Sequence, residues 1–185
     1  QYYLTVDSPT GQTTGTGWYN SSTTTVVSVN NNTITSENGK RHIFTGWTGD
    51  ATGTDTTSDP IKIDGPKTAI AIWKTQYQVT YASLDNTRQE TTNATEWVDT
   101  GTPTNAAFQK IITNEAGNTR QVLINENIPT SINRPQTITA IYQTQYLVTF
   151  MQDGLDPDAP ITIEIIINGN KTIEQLPVSI WINAG

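Results

Sequence analysis

The stretch TAIAIWKTQYQVTY at residues 68–81 decides how the chain is organised, because it returns as TITAIYQTQYLVTF at residues 137–150. Its second half also opens the chain, as QYYLTV at residues 1–6. In both full copies one alternating apolar run meets another at Thr-Gln-Tyr, with no linker residues between them. The phrase predicts tandem repeats, in which the closing strand of one repeat leads directly into the first strand of the next.

Other anchors keep their order between the copies and set the boundaries. Trp18-Tyr19-Asn20 matches Trp97-Val98-Asp99, and Trp181-Ile182-Asn183 falls at the same position. We therefore divide the chain into repeat one (residues 1–75), repeat two (76–144) and repeat three (145–185). Repeat three is partial, because it lacks the equivalents of residues 23–75.

The apolar pattern predicts an all-β fold. No stretch shows a helical period, and Gly, Pro, Asn and Asp interrupt short alternating runs every 8–12 residues or so, as in β-sandwiches. Asn-Gly predicts a tight hairpin at residues 38–39 and a turn at residues 168–169. We expect tandem small β-sandwich modules of the immunoglobulin-like kind, with the last one incomplete.

Composition excludes several classes of function. The net charge of −7 argues against nucleic acid as a partner, since phosphates would be repelled. The chain has no cysteine, so disulfides and Cys-ligated zinc are excluded. No apolar run approaches the roughly 20 residues of a membrane span. The 35 threonines suit the solvent face of a sheet.

No residues form a convincing catalytic or metal site, so we expect no enzyme activity and no cofactor. The single histidine, His42, is replaced by Gln121 in repeat two, and no nucleophile-elbow pattern is present. The acidic loops at residues 50–59 and 153–158 suggest calcium as one alternative, but neither has EF-hand or nonapeptide spacing. Solvated loops are the preferred interpretation.

The tryptophans allow two interpretations. Trp18, Trp97 and Trp181 share one repeat position, while Trp73 shares another with Tyr142. Repeated aromatics of this kind predict core anchors. Trp47 has no counterpart in repeat two, so it is the best candidate for an exposed platform that stacks on sugars.

Four Asn-x-Ser/Thr triplets lie in or beside predicted turns, where a glycan could point into solvent. If the chain is secreted, we expect N-linked glycans as partners at these positions. They are Asn20, Asn31, Asn93 and Asn170.

The incomplete third repeat predicts an interaction with other chains. A sandwich without its later strands leaves its core and a strand edge open, which favours β-strand addition from a neighbouring copy. Head-to-tail contacts of this type do not close, so they generate filaments. The alternative is that the sequence is a piece of a longer repeat protein.

The predicted donor is the N-terminal strand, through Gln1, Tyr2, Leu4 and Val6. The predicted acceptor is the apolar face of repeat three. Its residues are Tyr146, Val148, Phe150, Ile163, Ile165, Val178, Ile180 and Ile182.

Two resemblances add to this. QYYLTV, GWYN, FTGWTGD and IDGPKTAIAIWKTQY in repeat one resemble the repeats, related to the InlB B-repeat type, of archaeal and bacterial surface proteins. The resemblance extends to all three repeats and is weaker in repeat two; it implies an extracellular, stalk-like or adhesive role without catalytic residues. By architecture the chain is also similar to archaeal thread-type filament subunits, which are glycosylated and joined by donor-strand complementation.

We therefore predict a secreted structural subunit of a cell-surface filament, a homopolymer of pilus or thread type with a role in adhesion. The absence of linkers predicts a stiff rod of modules. The alternative is a carbohydrate-binding or stalk module of a larger secreted surface protein or enzyme.

Overall fold

The chain folds almost entirely as β-structure. The computed structural model describes residues 1–36, 38–84, 90–154, 156 and 159–185, with only the backbone described at residues 90–93. It has 58% of its residues in strands and none in helices, which confirms the all-β class. The division into immunoglobulin-like sandwich modules stays a prediction.

Sixteen strands follow one another in the described part of the chain. They are β1 (Tyr2–Asp7), β2 (Thr13–Thr14), β3 (Gly17–Tyr19), β4 (Thr24–Thr25), β5 (Ser28–Val29), β6 (Thr33–Ser36), β7 (Lys40–Gly49), β8 (Ile61–Lys62), β9 (Lys67–Leu84), β10 (Glu90–Asp99), β11 (Ile111–Thr113), β12 (Thr119–Glu126), β13 (Gln136–Phe150), β14 (Thr162–Ile167), β15 (Asn170–Gln175) and β16 (Val178–Asn183). Two compact units are formed, unit 1 from residues 1–80, 94–105 and 128–137, and unit 2 from residues 81–93, 106–127 and 138–185.

Unit 1 is organised around strand β1. Its Tyr2, Tyr3 and Leu4 pair antiparallel with β3, while its other edge pairs parallel with β9 from Leu4 opposite Lys67 onward. Strand β7 lies antiparallel to both β6 and β9, and unit 1 also contains two short pairs, β2 with β5 and β4 with β8. The alternation predicted for residues 2–6 is confirmed, since Leu4 and Val6 are both buried.

The core of unit 1 comes from aliphatic residues of several strands and loops. Leu4, Val27 and Ile63 are almost completely buried. Phe44 packs edge-on against both Trp47 and Trp73, with ring centroids 5.4 Å apart in each pair. Repeat one therefore encloses its own apolar centre.

Unit 2 is built on strand β13, which pairs antiparallel with β12 and with β16. Strand β11 continues the sheet beyond β12, and β14 and β15 form a separate hairpin. Ile138, Ala140 and Tyr142 are buried, and the Tyr142 hydroxyl donates to the Gln109 carbonyl at 2.8 Å. Buried hydrophobic residues become rare after Tyr142.

Both repeated phrases lie inside uninterrupted strands. Strand β9 runs through Thr75-Gln76-Tyr77, and β13 runs through Thr144-Gln145-Tyr146. The structure therefore has no linker at either position, as the sequence predicted. It goes further than the prediction, because closing and opening strands are one continuous element.

The predicted hairpin at residues 38–39 and the predicted turn at residues 168–169 are both present. Strands β6 and β7 pair up to Ser36 opposite Lys40, and Gly39 between them has a positive φ of 65°. Strands β14 and β15 flank Asn168-Gly169, with φ values of 50° and 79°. Positive φ at both central residues is the requirement of a type I′ turn, which Asn168-Gly169 meets at low cost.

Gly49 allows a test of how tightly β7 lies against β9. Its φ is +81°, and a Cβ atom there would stand 2.4 Å from the Thr68 carbonyl oxygen. Gly101 has nearly the same φ, +80°, with open space around it. We expect Gly101→Ala to cost about 1 kcal/mol through left-handed strain alone, and Gly49→Ala to cost at least about 1 kcal/mol more. Urea unfolding of both variants measures the difference, and equal losses would contradict the close packing.

Candidate functional site: an arginine–glutamine–tryptophan cluster and an open sheet edge

The first junction phrase places a polar cluster beside Gln76. The register of β7 and β9 sets Arg41 opposite Gln76, and the Arg41 Nε donates to Gln76 Oε1 at 2.7 Å. The guanidinium lies over the Trp97 ring, 4.5 Å from its centroid. Gln76 Nε2 in turn donates to Asp99 Oδ1 at 2.6 Å. One glutamine thus links an arginine of repeat one with the acid of repeat two.

The second junction phrase repeats this arrangement. Arg120 pairs with Gln145 across β12 and β13, and its Nε donates to Gln145 Oε1 at 2.7 Å. The Arg120 guanidinium lies 4.3 Å from the centroid of the Trp181 ring. Gln145 Nε2 donates to Asn183 Oδ1 at 2.8 Å. The arginine and glutamine atoms have the same roles as in the first cluster.

The chemistry of the side chains explains why these residue types recur. A guanidinium is planar, so it stacks its face on an aromatic ring while it donates hydrogen bonds within its plane. A glutamine amide both accepts and donates, so it can join the arginine to a third group. The third group must accept a hydrogen bond from the glutamine nitrogen, and the oxygen of an aspartate or of an asparagine can do so. We call this arrangement the Arg-Gln-Trp cluster.

Asp99 is the one carboxylate within the clusters. Its pKa is held below the ordinary value chiefly by the hydrogen bond from Gln76; burial acts in the opposite direction, and Lys74 and then Arg41 lower the pKa further. The Lys74 ammonium stands 3.2 Å from Asp99 Oδ1, but both side chains are more than 40% exposed, so this ion pair contributes little. The glutamine bond is the main interaction of the carboxylate.

This pKa predicts a pH dependence that Asp99→Asn removes. Because the folded pKa is lowered, the carboxylate stabilises the fold above its unfolded pKa, and this contribution is lost as pH falls through the folded value. We expect Asp99→Asn, which reproduces Asn183 of the second cluster, to lose less stability than the unsubstituted chain between about pH 5 and about pH 2. Urea titrations across that range measure it.

Asp55→Asn is the matched control, since Asp55 is exposed and lies outside the clusters. It should leave the acid-induced loss of stability nearly unchanged. An unaltered loss in Asp99→Asn would show that the Gln76 bond does not favour the ionised carboxylate.

The start of the chain holds the same arrangement without its arginine. Gln1 Nε2 donates to Asn20 Oδ1 at 3.2 Å, as Gln76 does to Asp99. Trp18 occupies the position of Trp97 and Trp181, yet 66% of its surface is exposed. The prediction that this repeated tryptophan is a core anchor is therefore wrong for Trp18, because its ring contacts Tyr3 but has none of the described arginines over it and stays largely in solvent.

The second feature of the candidate site is a core position that is buried in repeats one and two but not fully buried in repeat three. The alignment places Leu4, Val79 and Val148 together. Leu4 and Val79 have no exposed surface, whereas Val148 is only half-buried. Two residues further on, Phe150 is also half-buried although its counterparts Val6 and Tyr81 are buried. The core of repeat three is thus open where the cores of the other repeats are closed.

The strand register shows what this position lacks. In repeat one, β1 has β3 on one edge and the segment Lys67–Ile70 on the other. In repeat three, β16 takes the place of β3 with the same register, since Leu147 faces Trp181 as Tyr3 faces Trp18. Strand β12 begins opposite Tyr146 and does not extend along Val148–Phe150. Within the described part of unit 2, no strand takes the place of Lys67–Ile70.

The predicted acceptor residues lie on strands β13, β14 and β16, and those of β13 flank the open edge. One is buried, six are half-buried, and Tyr146 is 52% exposed. The buried residue is Ile165, and the half-buried ones are Val148, Phe150, Ile163, Val178, Ile180 and Ile182. Their role as an acceptor stays a prediction.

The predicted donor strand is seated in its own repeat. Tyr2, Leu4 and Val6 belong to β1, which pairs on both edges, and Gln1 precedes it. Leu4 and Val6 are buried in the core of unit 1. Donation of β1 would therefore require the strand to leave a complete core.

The sugar-platform interpretation of Trp47 is wrong. The ring is 7% exposed and packs against Phe44, while its Nε1 donates to the Asp55 carbonyl at 3.1 Å. The loop after β7 satisfies the indole N–H, which allows the ring to be buried. Tyr142 is buried and Trp73 half-buried, so that shared position is a core position.

The other polar candidates have structural partners. The His42 ring is 3.1 Å from the Thr75 hydroxyl. The pKa of His42 is lowered chiefly by burial and secondly by the positive charge of the nearby Lys40. Asp50 accepts from the Thr68 amide at 2.8 Å. In the described ranges no group of three His, Cys, Asp or Glu residues could hold a metal ion.

Three of the four predicted glycosylation sites have exposed asparagines. Asn20 follows β3, Asn31 lies between β5 and β6, and Asn170 begins β15. The side chain of Asn93 lies outside the described residues. Exposure is what a glycan requires, and glycosylation itself stays a prediction.

The sequence interpretation missed the Arg-Gln-Trp cluster. The signal was present, because Arg41 and Arg120, Gln76 and Gln145, and the tryptophans all coincide when the repeats are aligned. What the alignment does not contain is that an arginine of one repeat contacts a tryptophan of the next. That follows from strand pairing across the junction.

Comparison with known proteins gives no match: no family model, no curated protein and no solved structure is similar to this chain. No helix long and apolar enough to cross a membrane occurs among the described residues.

Proposed function

We propose that the chain is a structural subunit of an extracellular, cell-surface filament that polymerises head to tail by β-strand donation and serves adhesion. The observation that carries this is that Val148 is only half-buried, at a position that is fully buried in repeats one and two. Complete burial of a Val or Phe side chain is worth about 1.5–3 kcal/mol relative to exposure. A strand laid over Val148 and Phe150 would gain part of that for each residue.

The open edge also offers backbone groups in a defined order. The Leu147 amide donates to Asn118 on the β12 side of β13. Because backbone groups alternate along a strand, the Thr149 amide points to the same side, beyond the end of β12. A parallel strand there would repeat the pairing of Thr5 with Thr68 in repeat one. The acceptor is therefore the edge Val148–Phe150.

Strand β1 is the candidate donor. Its apolar residues Leu4 and Val6 point to one face, as an inserted strand needs, but they already fill a core. Donation would therefore differ from domain swapping, because β1 would leave the place of an opening strand and take the place that the closing segment Lys67–Ile70 has in repeat one. N-linked glycans at the exposed asparagines would cover the outer surface.

A stalk module of a longer surface protein is the second candidate. The continuous strands β9 and β13 favour it, since repeats joined in this way can be added without linkers. In that case the open edge is filled by the same polypeptide, and the purified chain forms no filaments. The carbohydrate-binding variant has lost its candidate platform with the burial of Trp47.

A proline at Thr149 tests the open edge. Thr149→Pro removes the amide that faces the edge and leaves the ladder between β13 and β16 without a lost bond, because its neighbours face β16. We expect the unsubstituted chain to form filaments visible by negative-stain electron microscopy and Thr149→Pro to remain monomeric in sedimentation velocity.

Thr149→Val is the matched control. It also loses the hydroxyl contact with Ser179, 2.8 Å away, but it keeps the amide, so it should polymerise. Deletion of residues 1–8 then separates β1 from other donors. Filaments formed equally well by Thr149→Pro, or a strictly monomeric unsubstituted chain at high concentration, would remove the filament proposal.

A further inference from the structure

A surface at the start of the chain has the form of a cluster in which one member is missing. It consists of Gln1, Trp18 and Asn20, and we call it the Trp18 surface. The hydrogen bond from Gln1 to Asn20 has the same donor and acceptor types as that from Gln145 to Asn183. The tryptophan lies two residues before the asparagine in both.

The cation is what the Trp18 surface lacks. An arginine lies over the equivalent rings of Trp97 and Trp181, within 4.5 Å of each centroid. Trp18 instead has Tyr3 at its edge, with ring centroids 5.2 Å apart, and both aromatic rings are exposed. Two neighbouring exposed aromatic rings at a sheet edge are typical of an interaction surface.

The backbone beside this surface is open on the side from which the arginine comes. At the second junction Gln145 faces Asn183 on one edge and Arg120 on the other. In β1 the edge toward β3 is occupied, and the opposite edge is paired with β9 only from Leu4 onward. In the described chain, no strand lies beside Gln1 and Tyr2 on that opposite edge.

We propose that the Trp18 surface docks the arginine-bearing hairpin of another repeat of this kind, with the guanidinium over Trp18 and its Nε donating to Gln1 Oε1. The hairpins that carry Arg41 and Arg120 show the required partner: an antiparallel pair whose second strand begins beside the glutamine. The partner is a repeat, because a lone arginine would supply the cation but not the strand. The proposal is independent of the Val148–Phe150 edge.

A fusion protein in which a second copy of residues 1–75 precedes Gln1 of the full chain tests this. Thr75 of the added copy then joins Gln1 as it joins Gln76 in the chain itself. We expect Trp18 of the full chain to become protected from acrylamide quenching, and its indole N–H resonance to shift, as identified with Trp18→Phe. Arg41→Ala in the added copy should reverse both changes.

A double-mutant cycle gives the energetic readout. Arg41→Ala in the added copy and Trp18→Ala in the full chain should be coupled by about 2- to 30-fold in the unfolding equilibrium constant, the range of cation–π pairs. The control uses the second fusion, described in the next paragraph, in which the added repeat is residues 76–144. There Arg134→Ala alters an exposed arginine outside the clusters, and it should show no coupling to Trp18.

A second fusion guards against misfolding of the added copy. It places residues 76–144 before Gln1, so that Thr144 meets Gln1 and Arg120 supplies the guanidinium. Protection of Trp18 in either folded fusion supports the proposal. It is overturned if Trp18 stays as exposed as in the chain alone, if the arginine and Trp18 are uncoupled, or if neither added repeat folds beside the surface. Protection of Trp18 by an oligosaccharide but by neither fusion would likewise reject it in favour of a sugar site.

Discussion

The two-residue period of a continuous strand is the constraint on which the rest of the structure depends. In β9, Ala69 and Ala71 of repeat one and Val79 and Tyr81 of repeat two are buried and all have odd numbers. Because side chains alternate between the faces of a strand, the core face of the closing half is also the core face of the opening half. One inserted residue at the junction would turn one half over.

The same alternation places the Arg-Gln-Trp cluster. Gln76 has an even number, so its side chain leaves the strand on the face opposite Ala71 and Val79. A buried amide on that face needs partners for its oxygen and its nitrogen, and Arg41 and Asp99 supply them. The cluster therefore satisfies a polar group that the continuous strand forces into a covered position. It is also where residues of two repeats meet.

Much of the fold follows from the sequence alone, because it is written in local patterns. Alternation predicted strands such as β1, Asn-Gly predicted the hairpin at residues 38–39 and the turn at residues 168–169, and repetition predicted that no linker stands at Thr-Gln-Tyr. The burial of single aromatic residues did not follow from the sequence, because it depends on segments that are distant in the chain. Trp47 is buried because the loop at Asp55 accepts its N–H, and Trp18 is exposed because none of the described arginines reaches it.

The candidate sites divide in the same way. An open edge beside Val148 follows from counting which strands repeat three lacks, and the half-buried state of this residue agrees with it. The Arg-Gln-Trp cluster needed the register, because no local pattern tells that Arg41 stands opposite Gln76 rather than a neighbour. Pairing across the junction brings together residues that are far apart in the sequence. The alignment of the repeats is compatible with this pairing but does not predict it.

The composition of the clusters also bears on the conditions they tolerate. Arginine, glutamine and tryptophan do not change charge in acid. Three of the four residues in the first cluster and all four in the second are therefore insensitive to acid. Only Asp99 titrates, and the equivalent Asn183 shows that an uncharged oxygen fills the same place. Contact between repeats therefore rests on stacking and on hydrogen bonds that survive protonation rather than on ion pairs. These contacts between repeats are therefore kept in acid, at pH values at which salt bridges between carboxylates and lysines would be lost.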